Sequence, residues 1–360
     1  MKLEGIYLPV TTPFDAGRGE LDLDGFARNL GAWGRHPIAG FVVAGSTGEA
    51  PLLDESEVVA LTARARETVG GSAAVLTGTG LESTRATIRL GRDAAAAGAE
   101  ALLVKPPSYY RGRMTPEALR VHFLEVADAS PVPIVLYHVP KFVPVGLEPD
   151  LVAELAGHEK IIGIKDSSGD IHGLGALCTA CADKAAGLVG AGTHLYAGLE
   201  LGATGGIVAV GLLAPEAVSA LFDAWRDGRG SEAGRLQERI GPLHKRVVGG
   251  TGVPGIKHAL DLLGRVGGRP RSPLISPSEA VRAEVAAAGG RSPGGRRSHR
   301  ARSGDRRLNV QGLESLHRDR RRPVGRRGKG KDHGRARRAG DTRRALSGRC
   351  QRRTHGARGG

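Results

Sequence analysis

A lysine at the end of a short apolar run is the most chemically distinctive feature of this sequence. Ile161 and Ile162 lead into Gly163-Ile164-Lys165-Asp166, and a segment rich in serine and glycine follows. A run this short and apolar predicts a strand buried on both faces. Because burial disfavours an ammonium ion, Lys165 would offer a free amine able to attack a carbonyl carbon. The alternative is a lysine that extends its charge to solvent from the strand end.

A turn flanked by glycines is the second candidate. Gly45-Ser46-Thr47-Gly48-Glu49 follows another apolar run, and glycines let a ligand approach backbone N–H groups closely. Successive amides and the hydroxyls of Ser46 and Thr47 predict a small anion site that suits a carboxylate. The alternative is an ordinary turn before a helix. Glu49 is a candidate base, although a carboxylate here commonly caps a helix or complements its dipole.

Tyrosines supply candidate proton carriers. Tyr137 ends the apolar run before that of Lys165, where a phenol could relay a proton to or from a carbinolamine; the alternative is a core tyrosine. Tyr110 lies in a loop, where an interface role is the alternative. Lys105 is a weaker nucleophile candidate because Pro106 follows it, and we expect His138 to act only through another residue. An amine, an anion site and phenols together predict Schiff-base chemistry on a 2-oxo acid.

The elements that position these residues follow a regular alternation. Helix-like segments follow each of eight short apolar runs, which predicts right-handed crossovers and a parallel sheet. Eight units before residue 215 predict a closed (β/α)8 TIM barrel, whose chemistry lies at the carboxyl ends of its strands. The seventh run is the weakest because it is short and glycine-rich. The runs are Ile6–Val10, Ile38–Val43, Ala73–Thr77, Ala101–Val104, Pro133–Val139, Ile161–Ile164, Leu188–Gly190 and Gly206–Val210.

Amphipathic segments complete the predicted barrel. After the eighth run, one helix would close the barrel and about three more would pack against it. Residues 1–290 are therefore predicted to be one catalytic domain. The segments include Asp22–Trp33, Asp54–Val69, Glu82–Ala97 and Pro116–Ala129, then Pro215–Trp225, Ser231–Val247, Val253–Leu263 and Pro277–Ala288.

Charge is concentrated in the last 70 residues. Residues 291–360 contain 24 Lys and Arg against 5 Asp and Glu, a net charge of +19, so the remaining chain carries −4 of the total +15. This Arg- and Gly-rich composition predicts a disordered tail. Such a tail could bind nucleic acid with a strong salt dependence. The abrupt change in composition favours an inert or out-of-frame segment.

Several other classes of site and location are disfavoured. Cys178 and Cys181 fall in an Ala-rich segment, Ala176–Ala186, predicted to be helical, and two further zinc ligands at suitable spacing are missing from the sequence. Walker, Gly-x-Gly-x-x-Gly and Gly-x-Ser-x-Gly patterns are also missing at the relevant strands. We therefore expect no metal and no cofactor. The strand-like start and the lack of a long apolar run predict a cytoplasmic protein without a membrane partner.

With these residues in order, the chain resembles a known family, the pyruvate-dependent class I aldolases that include dihydrodipicolinate synthase and N-acetylneuraminate lyase. The resemblance covers roughly residues 4–288 and implies a lyase with a TIM-barrel fold. It also implies 2-oxo acid and aldehyde substrates, no external cofactor, and a homodimer or a dimer of dimers. The matching segments, in the family's order, are Gly5–Phe14, Gly45–Glu49, Tyr109-Tyr110, Tyr137-His138-Val139-Pro140 and Gly163-Ile164-Lys165-Asp166.

The same resemblance implies roles for individual residues. Lys165 would form the Schiff base, while Ser46 and Thr47 would hold the pyruvyl carboxylate. Tyr137 would be the proton shuttle, and Tyr110 would complete the relay, usually from the neighbouring subunit of a tight dimer. Ser167, after the sixth strand, and Val208, at the end of the eighth, are candidates for substrate contact.

The second substrate is less constrained. Phe142 stands where dihydrodipicolinate synthases usually carry an arginine, and His138 replaces their asparagine. Tyr109–Met114 and Lys165–Asp170 look more like 4-hydroxy-2-oxoglutarate aldolases, which release pyruvate and glyoxylate, although Thr47 replaces the asparagine of the mammalian type. 4-Hydroxy-tetrahydrodipicolinate synthase and a 2-keto-3-deoxy sugar acid aldolase or dehydratase remain alternatives.

Overall fold

Eight parallel strands form a closed barrel in sequential order in the computed structural model, which describes residues 1–288. The last strand pairs with the first, so the predicted (β/α)8 barrel is confirmed. The predicted basic tail, residues 291–360, lies outside the described residues. The strands are β1 Gly5–Pro9, β2 Gly40–Val43, β3 Ala74–Gly78, β4 Ala101–Val104, β5 Ile134–His138, β6 Ile161–Asp166, β7 Ala186–Val189 and β8 Gly205–Ile207.

Helices follow each strand, and further helices follow the barrel. The predicted closing helix and three additional helices are all present, with a π-helix, His244–Thr251, between the first two of the additional ones. The helices are α1 Leu23–Trp33, α2 Glu55–Val69, α3 Thr84–Ala96, α4 Pro116–Ala129, α5 Pro149–Leu155, α6 Ile171–Cys181, α7 Leu195–Glu200, α8 Pro215–Arg226, α9 Gly230–Leu243, α10 Gly252–Leu262 and α11 Glu279–Ala288.

Local chemistry explains where many of these helices begin. Asp54 and Glu57 form a capping box at the start of α2, so both satisfy backbone N–H groups that lack a helical partner. The Thr115 hydroxyl accepts a hydrogen bond from the Ala118 amide at 3.2 Å, and Pro116 then occupies the first position of α4. These caps support boundaries that agree closely with the sequence pattern.

The pairing of β5 with β6 sets the geometry that matters most for function. Tyr137 lies directly opposite Lys165 in the register. β6 extends two residues beyond the apolar run Ile161–Ile164 and one beyond the predicted strand end at Lys165, because Lys165 and Asp166 also pair with Leu188 and Val189 of β7. Lys165 is therefore held on both sides by neighbouring strands, and a backbone fixed in this way limits the positions open to its amine.

Other boundary predictions fail where tertiary pairing overrides local preference. The predicted helical segment Ala176–Ala186 ends at Cys181, and Ala186 instead begins β7 beside Gly163 of β6. The predicted helix Ser231–Val247 changes to the π-helix at His244. Pro242 lies just before this change and lacks the N–H group that a continuous α-helix requires.

Candidate active site

Lys165 lies buried beside Tyr137 at the carboxyl end of the barrel. The lysine is only 4% exposed, and its Nζ lies 4.2 Å from the centroid of the Tyr137 ring. Tyr137 is itself 7% exposed. The phenol ring shields the amine from water, and the face of the ring can stabilise the amine when it is protonated. An amine in this position can meet a ligand that enters through the barrel mouth.

The Tyr137 hydroxyl is the centre of a small hydrogen-bond group. It lies 3.3 Å from Ser46 Oγ and also interacts with the side chains of Ser167 and Lys165. Burial alone would raise the pKa of Tyr137, but the Lys165 charge and these hydrogen bonds outweigh it, so the pKa lies below its ordinary value. A phenol that ionises more readily can accept and return a proton within the site.

Ser46 and Thr47 begin a short 3-10 turn, Ser46–Gly48, directly after β2. The Gly48 amide donates to Gly45 O at 2.9 Å, and Thr12 Oγ1 donates to Gly48 O at 2.7 Å. The N–H groups of Ser46 and Thr47 occupy the first positions of the turn, where no acceptor within the turn can reach them. Two amides and two half-buried hydroxyls are thus available to an anion beside Tyr137.

Ser167 lies on the side of the site formed by β6 and β7. Its backbone N–H donates to His138 O at 2.8 Å. Gly190 lies beneath it, and a Cβ at that position would overlap Ser167 Oγ. Next to it, Asp166 accepts hydrogen bonds from Ser168, and His138 Nδ1 lies 2.9 Å from Asp166 Oδ1. Ser167 is therefore brought to Tyr137, whereas His138 contacts the neighbouring carboxylate.

Lys105, the weaker nucleophile candidate, forms an ion pair with Glu82. Its Nζ donates to Glu82 Oε1 at 2.9 Å. Glu82 also accepts the backbone N–H groups of Ser108 and Tyr109 at 2.7 and 2.8 Å. Burial would raise the pKa of Glu82, but the hydrogen bonds from Lys105 and these two amides bring it to about 2. Lys105 and Glu82 together fix the loop that carries Tyr110.

Tyr110 and Val208 are not part of the group around Tyr137 in the described chain. Tyr110 is 70% exposed and meets Tyr109 edge-on, with ring centroids 5.1 Å apart. Val208 is fully buried in the core. Its N–H donates to Tyr7 O at 3.2 Å and its carbonyl accepts from Gly211 at 3.1 Å, so both backbone groups already have protein partners.

Glu49 has neither of the roles considered from the sequence. Its side chain has no exposed surface, and it forms a buried ion pair with Lys257 of α10. The carboxylate is therefore not a base at the mouth, and it makes no capping hydrogen bond to the short helix that follows it. No local pattern marks Lys257, which lies 208 residues further along the chain. The sequence also suggests no role for Thr12 or Glu82. Thr12 lies just after β1 and Glu82 just before α3, and these positions are the one feature that could have indicated them.

The buried cysteines of α6 show no sign of a reactive role. Burial raises the pKa of Cys178 to about 11 and that of Cys181 to about 12, so both are thiols near neutral pH. Within residues 1–288, His, Cys, Asp and Glu side chains form no group of three able to hold a metal ion. None of the helices in that range is both long and apolar enough to cross a bilayer.

Comparison with known proteins agrees with this geometry. The model of the dihydrodipicolinate synthetase family matches residues 2–289. The chain is 37% identical to 4-hydroxy-tetrahydrodipicolinate synthase 1 of Streptomyces coelicolor over 78% of this chain and 91% of that protein. It is 34% identical to a probable mitochondrial 4-hydroxy-2-oxoglutarate aldolase of Emericella nidulans, over 76% and 90% respectively.

A solved structure extends the comparison to the fold. A prophage protein of the dihydrodipicolinic acid synthase family from E. coli K12, crystallised with pyruvate, superposes with a TM-score of 0.74 and 31% identity. The superposition covers 79% of this chain and 97% of that one. This chain therefore belongs to the dihydrodipicolinate synthetase family of pyruvate-dependent Schiff-base aldolases.

Proposed function

We propose that this lyase uses Lys165 to form the Schiff base and that it cleaves 4-hydroxy-2-oxoglutarate to pyruvate and glyoxylate. One observation carries the assignment of the nucleophile. The Lys165 amine is buried against Tyr137. The Tyr137 hydroxyl is within hydrogen-bond distance of Ser46, the first residue of the turn whose Ser46 and Thr47 N–H groups are available to an anion. Tyr137 thus contacts both the proposed nucleophile, Lys165, and the proposed carboxylate site at Ser46.

The first half of the reaction builds the electron sink. The Lys165 amine attacks the C2 ketone, while the substrate carboxylate lies on the N–H groups and hydroxyls of Ser46 and Thr47. The resulting carbinolamine loses its oxygen as water, with Tyr137 supplying the proton, and a protonated imine remains. Placing the positive imine next to the bound carboxylate stabilises both charges.

The second half breaks the carbon–carbon bond. Tyr137 accepts the proton of the C4 hydroxyl, the C3–C4 bond breaks, and its electron pair moves to the imine to give an enamine and free glyoxylate. Protonation of the enamine at C3 and hydrolysis of the imine by water release pyruvate and regenerate Lys165. Ser167, whose side chain interacts with that of Tyr137, would orient the C4 hydroxyl.

Two features support the choice of substrate. Phe142 is 61% exposed and stands where a dihydrodipicolinate synthase usually carries an arginine, so the site lacks the contact typical of that synthase, and the C5 carboxylate of 4-hydroxy-2-oxoglutarate would need a different partner. The relative from Emericella nidulans carries the name of a probable 4-hydroxy-2-oxoglutarate aldolase. The identity to 4-hydroxy-tetrahydrodipicolinate synthase 1 of Streptomyces coelicolor supports that synthase as the second candidate. An aldolase or dehydratase of 2-keto-3-deoxy sugar acids is the third.

A direct comparison of substrates tests this assignment. The purified protein is incubated with 4-hydroxy-2-oxoglutarate, with 2-keto-3-deoxygluconate, or with pyruvate plus aspartate semialdehyde. Pyruvate release or consumption is followed in each case, and Lys165→Ala serves as the inactive control. We expect the highest kcat/KM with 4-hydroxy-2-oxoglutarate. A higher kcat/KM for either other substrate would contradict the assignment of substrate, and near-normal turnover by Lys165→Ala would refute the assignment of the nucleophile.

We also propose that the active unit is a homodimer or a homotetramer in which Tyr110 completes the partner's site. A cavity of about 280 Å³ lies beside Ser46 and Tyr137, and its mainly apolar lining includes Ala50, Pro51, Leu53 and Leu81. The exposed pair Tyr109 and Tyr110 has the size and polarity to fill such a cavity from a second copy.

A further inference from the structure

Lys257 is a fully buried lysine outside the group that would perform the reaction. It has no exposed surface, and its Nζ donates three hydrogen bonds. The acceptors are Glu49 Oε1 at 2.6 Å, Thr12 O at 2.8 Å and Arg269 O at 2.8 Å. An ammonium group has three donors, so all of them are satisfied without water.

The Glu49 carboxylate is equally well enclosed. Its second oxygen accepts the Arg271 backbone N–H at 2.8 Å, and the Arg271 guanidinium in turn binds Glu57 and Leu52 O. The ring of Phe14 lies beside both cations, 4.5 Å from Lys257 Nζ and 4.2 Å from Arg271 Cζ. The chain from α10 to Arg271 is thereby fastened to the segment that contains Glu49.

Two paths lead from Lys257 to the turn that holds Ser46 and Thr47. Glu49 directly follows this turn, and its N–H donates to Ser46 O at 3.2 Å. Along the other path Lys257 binds the carbonyl of Thr12, whose hydroxyl donates to Gly48 O at 2.7 Å. Lys257 thus contacts both the residue that ends the turn and the residue that braces it from the loop after β1.

The backbone of Glu49 requires such support. Its φ of +62° lies in the left-handed region, which costs a residue with a side chain about 1 kcal/mol or more unless its surroundings hold it there. A buried ion pair adds little net stability compared with an apolar pair of similar size. Stability alone therefore gives no reason for placing two charges here, whereas a need to fix one backbone conformation does.

We propose that Glu49 and Lys257 are positioning residues that hold the Ser46–Thr47 amides in the arrangement that binds the carboxylate of a 2-oxo acid. The proposal rests on the function proposed above. It makes the helices after the barrel part of the site, since a residue of α10 would control affinity for pyruvate without touching it.

The test measures how pyruvate concentration controls borohydride trapping of Lys165. In Glu49→Gln the shape is kept and the charge is lost. We expect the half-saturating pyruvate concentration to rise at least tenfold, while the fraction of Lys165 trapped at saturation stays within twofold of the unmodified protein. Glu49→Gln combined with Lys257→Met removes both charges and should show a similar rise.

Arg66→Met provides the matched control. Arg66 pairs with Glu100 at 2.5 Å and also binds Ala73 O, at the amino ends of β3 and β4 and thus at the opposite end of the barrel. Its loss should lower the melting temperature without changing the half-saturating pyruvate concentration. A merely structural role for Glu49 would make the two variants alike.

The outcomes separate this proposal from the proposed function. An unmodified protein that is not trapped at Lys165 would refute the function itself. Trapping of the unmodified protein together with an unchanged half-saturating concentration in folded Glu49→Gln would overturn the positioning role alone. Failure of both the single and the double variant to fold would assign the pair to fold stability and would also overturn it.

Discussion

At the scale of single residues, the proposed reaction depends on the contact between Tyr137 and Lys165. The register of β5 and β6 places the two side by side, and the charge of one lowers the pKa of the other. The phenol oxygen also reaches Ser46 at 3.3 Å, at the start of the turn with free amides. The tyrosine hydroxyl is thus the group best placed to move protons during both halves of the proposed reaction.

Tyr137→Phe tests that role because it removes the hydroxyl and keeps the ring that covers Lys165. General acid–base groups contribute about 10²- to 10⁴-fold to rate, so we expect kcat to fall by at least about a hundredfold. Steady-state assays measure kcat, and borohydride trapping at long incubation measures whether the Schiff base still forms. Trapping at Lys165 should persist, because the amine is retained. A variant with more than a tenth of normal kcat would contradict the assignment.

Single residues also show what sequence can and cannot predict. Ser46, Tyr137 and Lys165 could be proposed as neighbours because each ends a predicted strand, and a parallel barrel brings such ends together. Glu49 could not be interpreted in this way, because its partner Lys257 is 208 residues away. The ion pair depends on how α10 packs, and no pattern of hydrophobicity specifies that packing.

At the scale of elements, the contact between α3 and α4 creates a pH-sensitive point. His122 of α4 is 4% exposed, and its Nδ1 lies 2.8 Å from Thr84 Oγ1 of α3. Burial, aided by the charge of Lys105, lowers the pKa of His122 to about 4, while Glu82 opposes this shift. The folded chain therefore keeps this imidazole neutral at pH values where an unfolded chain would protonate it.

The sign of the resulting pH dependence follows from linkage. Between the ordinary histidine pKa of 6.5 and about 4, the unfolded chain binds more protons than the folded one. The free energy of unfolding should therefore fall as pH drops through this window, by about 3 kcal/mol at most from His122. Urea denaturation of the protein and of His122→Gln at several pH values measures it. A His122→Gln variant that keeps the full loss of stability would contradict the prediction.

Elements were predictable where local and tertiary preferences agree. Pro116–Ala129 coincides with α4 because Thr115 and Pro116 mark its start chemically. The Ala-rich neighbours of Ala186 predict a helix there, yet pairing with Gly163 makes Ala186 the start of β7. The change from α9 to the π-helix at His244 follows Pro242, and the π-helix also contacts the loops after β7 and β8.

At the scale of the whole molecule, the proposed site is incomplete in a single chain, because Tyr110 would reach it only from a second copy. Tyr110 is 70% exposed in the single chain, and its loop is fixed by Glu82 and Lys105 rather than by Tyr137. A rigid loop that presents an aromatic side chain loses little entropy on association. Tyr110 is therefore well suited to act across an interface.

Tyr110→Phe and Tyr110→Ala distinguish catalysis from assembly. We expect Tyr110→Phe to remain a dimer or a tetramer in sedimentation and to lose at least tenfold in kcat, because the ring is kept and the hydroxyl is lost. Tyr110→Ala should also weaken association, since it removes the apolar surface. A fully active Tyr110→Phe variant would contradict a role for this hydroxyl, and a monomer with full activity would contradict the shared site.

The most direct test of the account is borohydride reduction with and without pyruvate, followed by mass mapping of peptides. We expect one reduced pyruvyl adduct on the peptide that contains Lys165, dependent on pyruvate and missing in Lys165→Ala. Lys105 is the internal control, because it lies near the mouth but is paired with Glu82. An adduct on Lys105, or a folded and pyruvate-saturated protein with no adduct on Lys165, would contradict the assignment of Lys165 as the nucleophile.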